Sequence, residues 1–128
     1  MNLLLDTHLL LWSAFASDRL SPAAREAIAD PTNDLWFSAV SLWEVAIKRS
    51  LDRPDFQVEP GTLRAGLLAN GYREQVLTGS HCLGQMQLSA IHRDPFDRIL
   101  VAQAQGEGLT LLTADATVAR YPGPVRLV

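Results

Sequence analysis

The chain has 128 residues, of which 48% are hydrophobic and 20% charged, a composition typical of one globular domain that excludes a disordered chain. Its net charge is −3, whereas domains that hold nucleic acid by bulk charge are basic. The single Cys82 excludes an internal disulfide, and no second Cys/His cluster completes a zinc site, so we expect Cys82 to be a packed side chain.

The first residues lack the basic stretch and the cleavage site of a secretory signal. The apolar runs are much shorter than the roughly 20 residues that a membrane span needs. We therefore expect a cytoplasmic protein without membrane contacts.

Short apolar runs alternate with helical patterns along the chain. In chain order we predict a strand at 2–5, helices at 7–15 and 22–29, a strand at 35–38, helices at 39–50 and 61–70, a strand at 74–78, helices at 80–88 and 95–105, a strand at 109–113, a helical turn at 115–120 and a strand at 125–128. This alternation predicts an α/β fold in which helices cover both faces of a mainly parallel sheet. Residues 1–128 are expected to form one domain.

Four acids lie near the ends of these elements. Asp6 follows the first strand, and Asp115 comes two residues after the fourth. Glu44 lies in the helix after the second strand, and Asp97 lies in the first turn of the helix that Asp94 begins. Ligands of open α/β sheets bind beyond the carboxyl ends of the strands, so all four carboxylates can reach the same edge.

Each acid also has a purely structural interpretation. Asp6 and Asp115 are suited to cap the helices that follow them, and Asp97 is a first-turn acid that the helix dipole favours. If these interpretations were the whole explanation, the acids would be dispersed around the fold. The alternation of strands and helices predicts that they cluster.

Glu44 has a structural alternative of its own, a capping box with Ser41. If Ser38 is the N-cap, the helix is already established at Glu44 and the box is redundant. Glu44 then projects inward from a mostly apolar helix, with Lys48 at i+4 in support.

Carboxylates that share a pocket repel one another, and at least one would have to stay protonated. Mg²⁺ or Mn²⁺ removes this cost, since these ions prefer oxygen ligands and commonly combine carboxylates with a substrate phosphate. Bound cations would also explain how an acidic protein recruits a polyanion.

Four sequence motifs carry a family resemblance. They are LLLDTH at residues 3–8, SAVSLWEVAIK at 38–48, HRDPFDR at 92–98 and LLTAD at 111–115. In this order and at these spacings they resemble PIN-domain proteins, and most closely the VapC-type toxins of bacterial toxin–antitoxin pairs. The resemblance spans essentially the whole chain.

The resemblance implies a PIN-like three-layer α/β/α sandwich that binds Mg²⁺ or Mn²⁺ through Asp6, Glu44, Asp97 and Asp115. Thr113 is expected to support them as a nearby hydroxyl, and we assign Asp94 mainly to the N-cap. The implied activity is that of an endoribonuclease toxin of a type II toxin–antitoxin pair, which hydrolyses RNA phosphodiesters to arrest growth. The implied partners are an RNA substrate, a cognate antitoxin that blocks the site and a second copy in a homodimer.

In such a site a cation polarises the phosphoryl oxygen and lowers the pKa of a bound water, so no histidine pair is needed. We therefore interpret His81 and His92 as surface or structural residues. Arg93 and Arg98 are equally suited to contact RNA phosphates or to be solvated or paired with acids.

Trp12, Trp36 and Trp43 are first of all core candidates. Trp12 and Trp43 lie on helices that flank the expected site, and their alternative is to line a groove for an apolar antitoxin helix.

Two other functions remain alternatives. A metal-dependent phosphatase would use Asp6 as phosphate acceptor, but such sites usually need a second acid close by in the sequence, and Thr7-His8-Leu9 follows. A non-catalytic PIN-like domain that binds RNA or protein would keep the fold without the chemistry.

Overall fold

The computed structural model describes residues 1–128 as five strands, six α-helices and three short 3₁₀ helices. In chain order the strands and α-helices are β1 (Asn2–Leu5), α1 (Thr7–Ala14), α2 (Pro22–Ala29), β2 (Asp34–Ser38), α3 (Ala39–Ser50), α4 (Pro60–Ala69), β3 (Arg73–Gln75), α5 (Gly79–Gly84), α6 (Pro95–Glu107), β4 (Thr110–Thr113) and β5 (Val125–Leu127). The 3₁₀ helices are Pro54–Phe56, Gln85–Gln87 and Val118–Arg120. None of the helices combines the length and the apolar composition that crossing a membrane needs.

The strands form one sheet in the order β3-β2-β1-β4-β5, and every neighbouring pair is parallel. Parallel strands need a crossover between them, which the helices supply. The sheet confirms the predicted α/β class. β1 lies at its centre, with β2 and β4 on either side.

Two apolar clusters cover the two faces of this sheet. Leu3 and Leu5 of β1 point into a cluster that α1, α2, α3 and α4 complete, while Leu4 points into a second cluster built mainly on α6. The alternation follows from the two-residue period of a strand. All three leucines are fully buried, and burial stabilises each by about 1.5–3 kcal/mol. The structure is therefore the three-layer α/β/α sandwich that the sequence predicts.

The third strand is shorter than predicted and ends at Gln75 instead of residue 78. Its partner β2 ends at Ser38, which pairs with Gln75, because α3 begins at the next residue. Residues beyond Gln75 therefore have no neighbouring strand to pair with. Thr78 instead caps α5, in a capping box with His81.

Two predictions about packing are wrong. Cys82 is exposed, because α5 is a six-residue surface helix whose buried side chain is His81. None of the tryptophans is fully buried: Trp12 and Trp36 are half-buried and pack against the edges of the two clusters, while Trp43 is 58% exposed. Leucines together with Phe37 and Phe56 fill the core instead.

Candidate metal centre

The four predicted acids meet at the carboxyl-end edge of the sheet. Asp6 directly follows β1, and Asp115 follows the adjacent β4. Glu44 and Asp97 reach the same edge of the sheet from α3 and α6. Burial raises the pKa of Asp97 to about 8, and the charges of all the other acids in the pocket add to this effect. Among these charges, that of Asp94 raises the pKa of Asp97 most. The structure thus brings together five carboxylates, which we call the acid cluster.

Asp6 is tied to two elements at once. Its Oδ1 accepts from the backbone N–H of Leu9 at 2.9 Å and so caps α1, and its Oδ2 accepts from the Thr113 hydroxyl at 2.6 Å. Thr113 Oγ1 in turn accepts from the backbone N–H of Asp115 at 3.0 Å. Burial raises the pKa of Asp6, although these hydrogen bonds and the charge of His8 oppose the shift. Thr113 therefore links the acids at the ends of β1 and β4.

Glu44 is held by hydroxyl groups inside the protein. Thr7 Oγ1 donates to Glu44 Oε1 at 2.6 Å and lies 2.9 Å from Ser41 Oγ, and all three residues are buried. Ser38 is the N-cap of α3 and accepts from the N–H of Val40. Glu44 therefore does not form a capping box and projects inward, as predicted.

Lys48 lies between two of the acids. Its Nζ is 2.5 Å from Glu44 Oε2 and 3.6 Å from Asp94 Oδ2. Burial acts to lower the pKa of Lys48, but the hydrogen bond to Glu44 and the carboxylates of Glu44, Asp94 and Asp97 outweigh it and raise the pKa. Lys48 compensates part of the negative charge of the cluster.

Asp94 and Asp115 also begin local structures. Asp94 Oδ1 accepts from the N–H of Phe96 and caps α6, which confirms its assignment as the N-cap. Asp115 Oδ1 accepts from the N–H of Thr117 at 2.8 Å, and this bond with the His92 contact lowers the pKa of Asp115 despite partial burial. These two acids therefore hold the backbone that follows them and also belong to the acid cluster.

His92 occupies a more central position than the sequence analysis assigns to it. Its Nε2 lies 3.3 Å from Asp97 Oδ2 and 3.2 Å from Asp115 Oδ2. The three side-chain atoms lie within 4.8 Å of one another, a spacing at which one cation could touch all of them. The sequence signal was available, because His92 begins the motif that contains Asp94 and Asp97.

Arg98 fits neither of its predicted alternatives. Its guanidinium donates to the carbonyls of Gln85, Leu88, Ser89 and His92 and to the Tyr121 hydroxyl. The planar, five-donor guanidinium suits such a set of acceptors. Arg98 thus binds the segment before α6 to the helix and has no acidic partner, whereas Arg93 is exposed.

The residues present fit a divalent cation. The donors are carboxylate oxygens, which Mg²⁺ and Mn²⁺ prefer. The environment of Asp97 suits a cation, since burial and the four neighbouring carboxylates raise its pKa and Lys48 offsets their charge only in part. Asp6, Glu44, Asp97 and Asp115 are the residues that would hold it.

His8, for which the family resemblance leaves a phosphate contact as a guess, lies next to the site. His8 Nε2 lies 3.2 Å from Asp55 Oδ2, and its ring lies against Trp12 and Phe56. This places a half-exposed imidazole in the first turn of α1, close enough to Asp6 for its charge to act on that carboxyl.

Comparison with known sequences gives a consistent result over nearly the whole chain. The family profile of the PIN domain matches residues 3–124. Ribonuclease VapC22 of Mycobacterium tuberculosis is 32% identical over 127 residues, which are 97% of this chain and 96% of that protein.

Comparison with solved structures supports the same fold. VapBC2 of Rickettsia felis, bound to a DNA fragment from its promoter, has a TM-score of 0.71 at 15% identity and covers 99% of this chain and 98% of its own. VapC20 of Mycobacterium tuberculosis, a toxin that cleaves the sarcin–ricin loop, has a TM-score of 0.65 at 15% identity over 94% and 96% of the two chains. DNA-bound VapBC of Salmonella typhimurium has a TM-score of 0.65 at 14% identity over 100% and 97%. At these identities the likeness concerns the fold.

Proposed function

The chain belongs to the PIN-domain family, and on that premise we propose that it is a VapC-type endoribonuclease toxin that acts with Mg²⁺ or Mn²⁺. The observation that supports this most directly is the convergence of Asp6, Glu44, Asp97 and Asp115 in one pocket. The similarity to a ribonuclease over nearly the whole length of both chains supports RNA as the substrate. We propose that residues 1–128 act as one nuclease domain in the cytoplasm.

A bound divalent cation would polarise the scissile phosphate and supply a nucleophilic water at neutral pH. The protein's task is to hold carboxylate oxygens in fixed positions. Thr113 does this for Asp6 and Thr7 does it for Glu44, in each case through a 2.6 Å hydrogen bond. Fixed ligands lose little freedom when the ion and the phosphate arrive, which favours catalysis.

The geometry does not favour a phosphatase that uses Asp6 as its nucleophile. Asp6 is only 5% exposed, which leaves little room for the in-line approach of a phosphorus atom to its carboxylate. Such phosphatases also usually carry a second acid close to the nucleophile in the sequence, and here Thr7 and His8 follow Asp6.

The test is RNA cleavage by the antitoxin-free protein with Mg²⁺ or Mn²⁺ and then with EDTA. We expect the chelator to abolish cleavage, because it removes the cation. Asp6→Asn and Asp97→Asn should each abolish both cleavage and growth arrest, because each removes the charge of a ligand. The exposed Asp18→Asn is the matched control and should stay active. Unchanged cleavage in EDTA would refute the metal mechanism, and full activity of Asp97→Asn would transfer the ligand role to Asp94.

We propose that a cognate antitoxin covers the protein along α1. A groove of about 560 Å³, mostly apolar, lies between α1, α2, α4 and β2, and Trp12 and Phe15 line a second depression next to it. An amphipathic segment of a partner would bury its apolar face there. Two similar folds were solved as VapBC complexes, which supports a partner of this kind.

Co-expression with the antitoxin tests this surface. Trp12→Ala should weaken the pull-down of the antitoxin, since it removes a large half-exposed ring from the rim. Trp43→Ala is the comparison, because Trp43 lies on α3 and packs on Phe96 instead. Equal recovery of the antitoxin by Trp12→Ala and the wild type would remove α1 from the interface.

We also propose that the protein is a homodimer whose contact includes the segment after β3. This segment exposes Val76, Leu77, Leu83 and Met86 beside an edge strand. Light scattering should give the mass of a dimer, and Leu83→Asp with Met86→Asp should give a monomer. Leu51→Asp, at an equally exposed leucine on the end of α3, should leave the mass unchanged, and a monomeric wild type would refute the dimer.

A further inference from the structure

We propose that His92 is a positioning residue of the metal centre, a fixed hydrogen-bond donor that holds Asp97 and Asp115 together and does not itself bind the cation. The proposal rests on the proposed function only in that cations bind at the acid cluster. It assigns a role to a histidine that lies between two predicted ligands.

The tautomer of His92 follows from its contact with the backbone. The N–H of Asp94 donates to His92 Nδ1 at 3.0 Å, so Nδ1 carries a lone pair and no proton. The ring proton is then on Nε2. Nε2 donates to Asp115 Oδ2 at 3.2 Å and also lies 3.3 Å from Asp97 Oδ2. The Nε2–H group therefore binds Asp115 and lies between the two acids.

The same contact excludes His92 as a ligand. A histidine binds a metal through a nitrogen lone pair, and the Nε2 that faces Asp97 and Asp115 has none in this tautomer. To offer a lone pair there, the ring would have to move its proton to Nδ1 and lose the bond from Asp94. The short spacing of the three side chains thus reflects hydrogen bonding and not a three-residue coordination sphere.

The backbone of His92 is fixed as firmly as its ring. Its N–H donates to the Tyr121 hydroxyl at 2.9 Å, and that hydroxyl donates to the His92 carbonyl at 3.3 Å. Arg98 donates to both the hydroxyl and the carbonyl. A donor held in this way can set the separation of two acids that would otherwise repel, which is how outer residues orient metal ligands.

His81 provides a matched control within the same chain. Its Nδ1 accepts from the N–H of Thr78 at 3.0 Å, and its Nε2 lies 2.8 Å from Glu107 Oε1. The local pattern is the same, but Glu107 is outside the acid cluster. A change at His81 therefore reports the loss of a structural histidine without an effect on the site.

The experiment measures Mn²⁺ binding to the full chain without RNA, by EPR titration and by pulsed EPR for nitrogen bound to the ion. We expect no directly bound nitrogen in the wild type. His92→Leu should weaken Mn²⁺ binding by about 10–100-fold, the usual effect of losing an outer partner of a ligand. His92→Gln keeps an N–H donor and should recover most of the affinity, while His81→Gln should bind as the wild type does.

Two results would overturn the proposal. One is a bound-nitrogen signal in the wild type that disappears in His92→Gln, which would make His92 a ligand. The other is wild-type affinity in His92→Leu, which would make the ring irrelevant to the ion. The wild-type spectrum decides ligation even if His92→Leu does not fold. Mn²⁺ binding with no RNA cleavage would refute the proposed function alone.

Discussion

Asp97 is the residue at which burial and charge act most strongly in the same direction. Its pKa of about 8 lies far above the ordinary value of an aspartate, 3.8, so the folded state binds more protons than the unfolded state between pH 4 and 8. Stability therefore falls as the pH rises through this window. A shift of this size corresponds to roughly 5 kcal/mol at pH 8. In EDTA, Asp97→Asn removes this loss, and we expect it to stabilise the protein at pH 8 by an amount up to this limit. Denaturant unfolding at pH 8 and pH 4 measures it.

The gain should disappear at pH 4, where Asp97 of the wild type is protonated. Asp18→Asn, at an exposed acid outside the cluster, should show no such dependence on pH. A metal-free Asp97→Asn that is less stable than the wild type at pH 8 would contradict the crowding of charge in the acid cluster.

Thr113 lies at a second position where one atom affects the whole site. Thr113→Val keeps the shape but removes the hydroxyl that donates to Asp6 and accepts from Asp115 N–H. We expect Mn²⁺ affinity to fall by about tenfold, measured by EPR titration. Thr110→Val makes the same change at the start of β4 and should bind Mn²⁺ normally. Equal affinities for the two variants would exclude Thr113 from a supporting role.

The sequence identifies the acids of the site more readily than their partners. Asp6 and Asp115 follow apolar strands, so topology alone brings them to one edge. The contact of His92 with Asp97 and Asp115 depends on a ring orientation that a backbone N–H determines. The salt bridge from Lys48 to Asp94 joins two helices, and no spacing along the chain encodes it.

Among the elements, the segment between α5 and α6 depends on a single arginine. Arg98 donates to the carbonyls of Gln85, Leu88 and Ser89, so its loss leaves several acceptors without a partner. We expect Arg98→Ala to destabilise the protein by about 2–4 kcal/mol, measured by chemical denaturation. Arg98→Lys should not restore it, because an ammonium cannot reach the same acceptors.

Arg93→Ala is the control for this element, since Arg93 is exposed on the same segment. Its stability should stay within about 0.5 kcal/mol of the wild type. An Arg98→Ala protein as stable as Arg93→Ala would show that the segment is held by its apolar contacts instead.

The ends of elements are predicted best where a local residue determines them, and the reason is physical. Helix α3 has both predicted bounds, because the Ser38 N-cap is a local signal. The end of β3 was wrong because it depends on where β2 ends, which is a property of another segment. Local chemistry decides a cap, whereas pairing decides a strand.

For the whole molecule, 14 acidic residues outnumber 11 basic ones, so the net charge of −3 does not attract RNA. We expect bound cations to supply most of the affinity, so that EDTA weakens RNA binding by tenfold or more relative to Ca²⁺, a hard cation with oxygen ligands. Fluorescence anisotropy with labelled single-stranded RNA measures this. Equal affinity in EDTA and Ca²⁺ would mean that basic side chains hold the RNA.

The architecture as a whole could be predicted, but the arrangement of its strands could not. Alternating strands and helices require a parallel sheet with two helical layers. The strand order β3-β2-β1-β4-β5 depends on which strands pair with one another. Leu3, Leu4 and Leu5 are buried on both faces of the sheet, which shows that β1 is internal but does not identify its neighbours.

The two roles of Asp6 have a practical consequence for making an inactive variant of this protein. Its carboxylate caps α1 as well as facing the acid cluster, so truncation to alanine would disturb the scaffold along with the chemistry. Asparagine retains an oxygen that can accept from Leu9 N–H and is itself a good capping residue. An amide in place of the acid should therefore yield a harmless, well-folded toxin for capturing intact RNA or antitoxin.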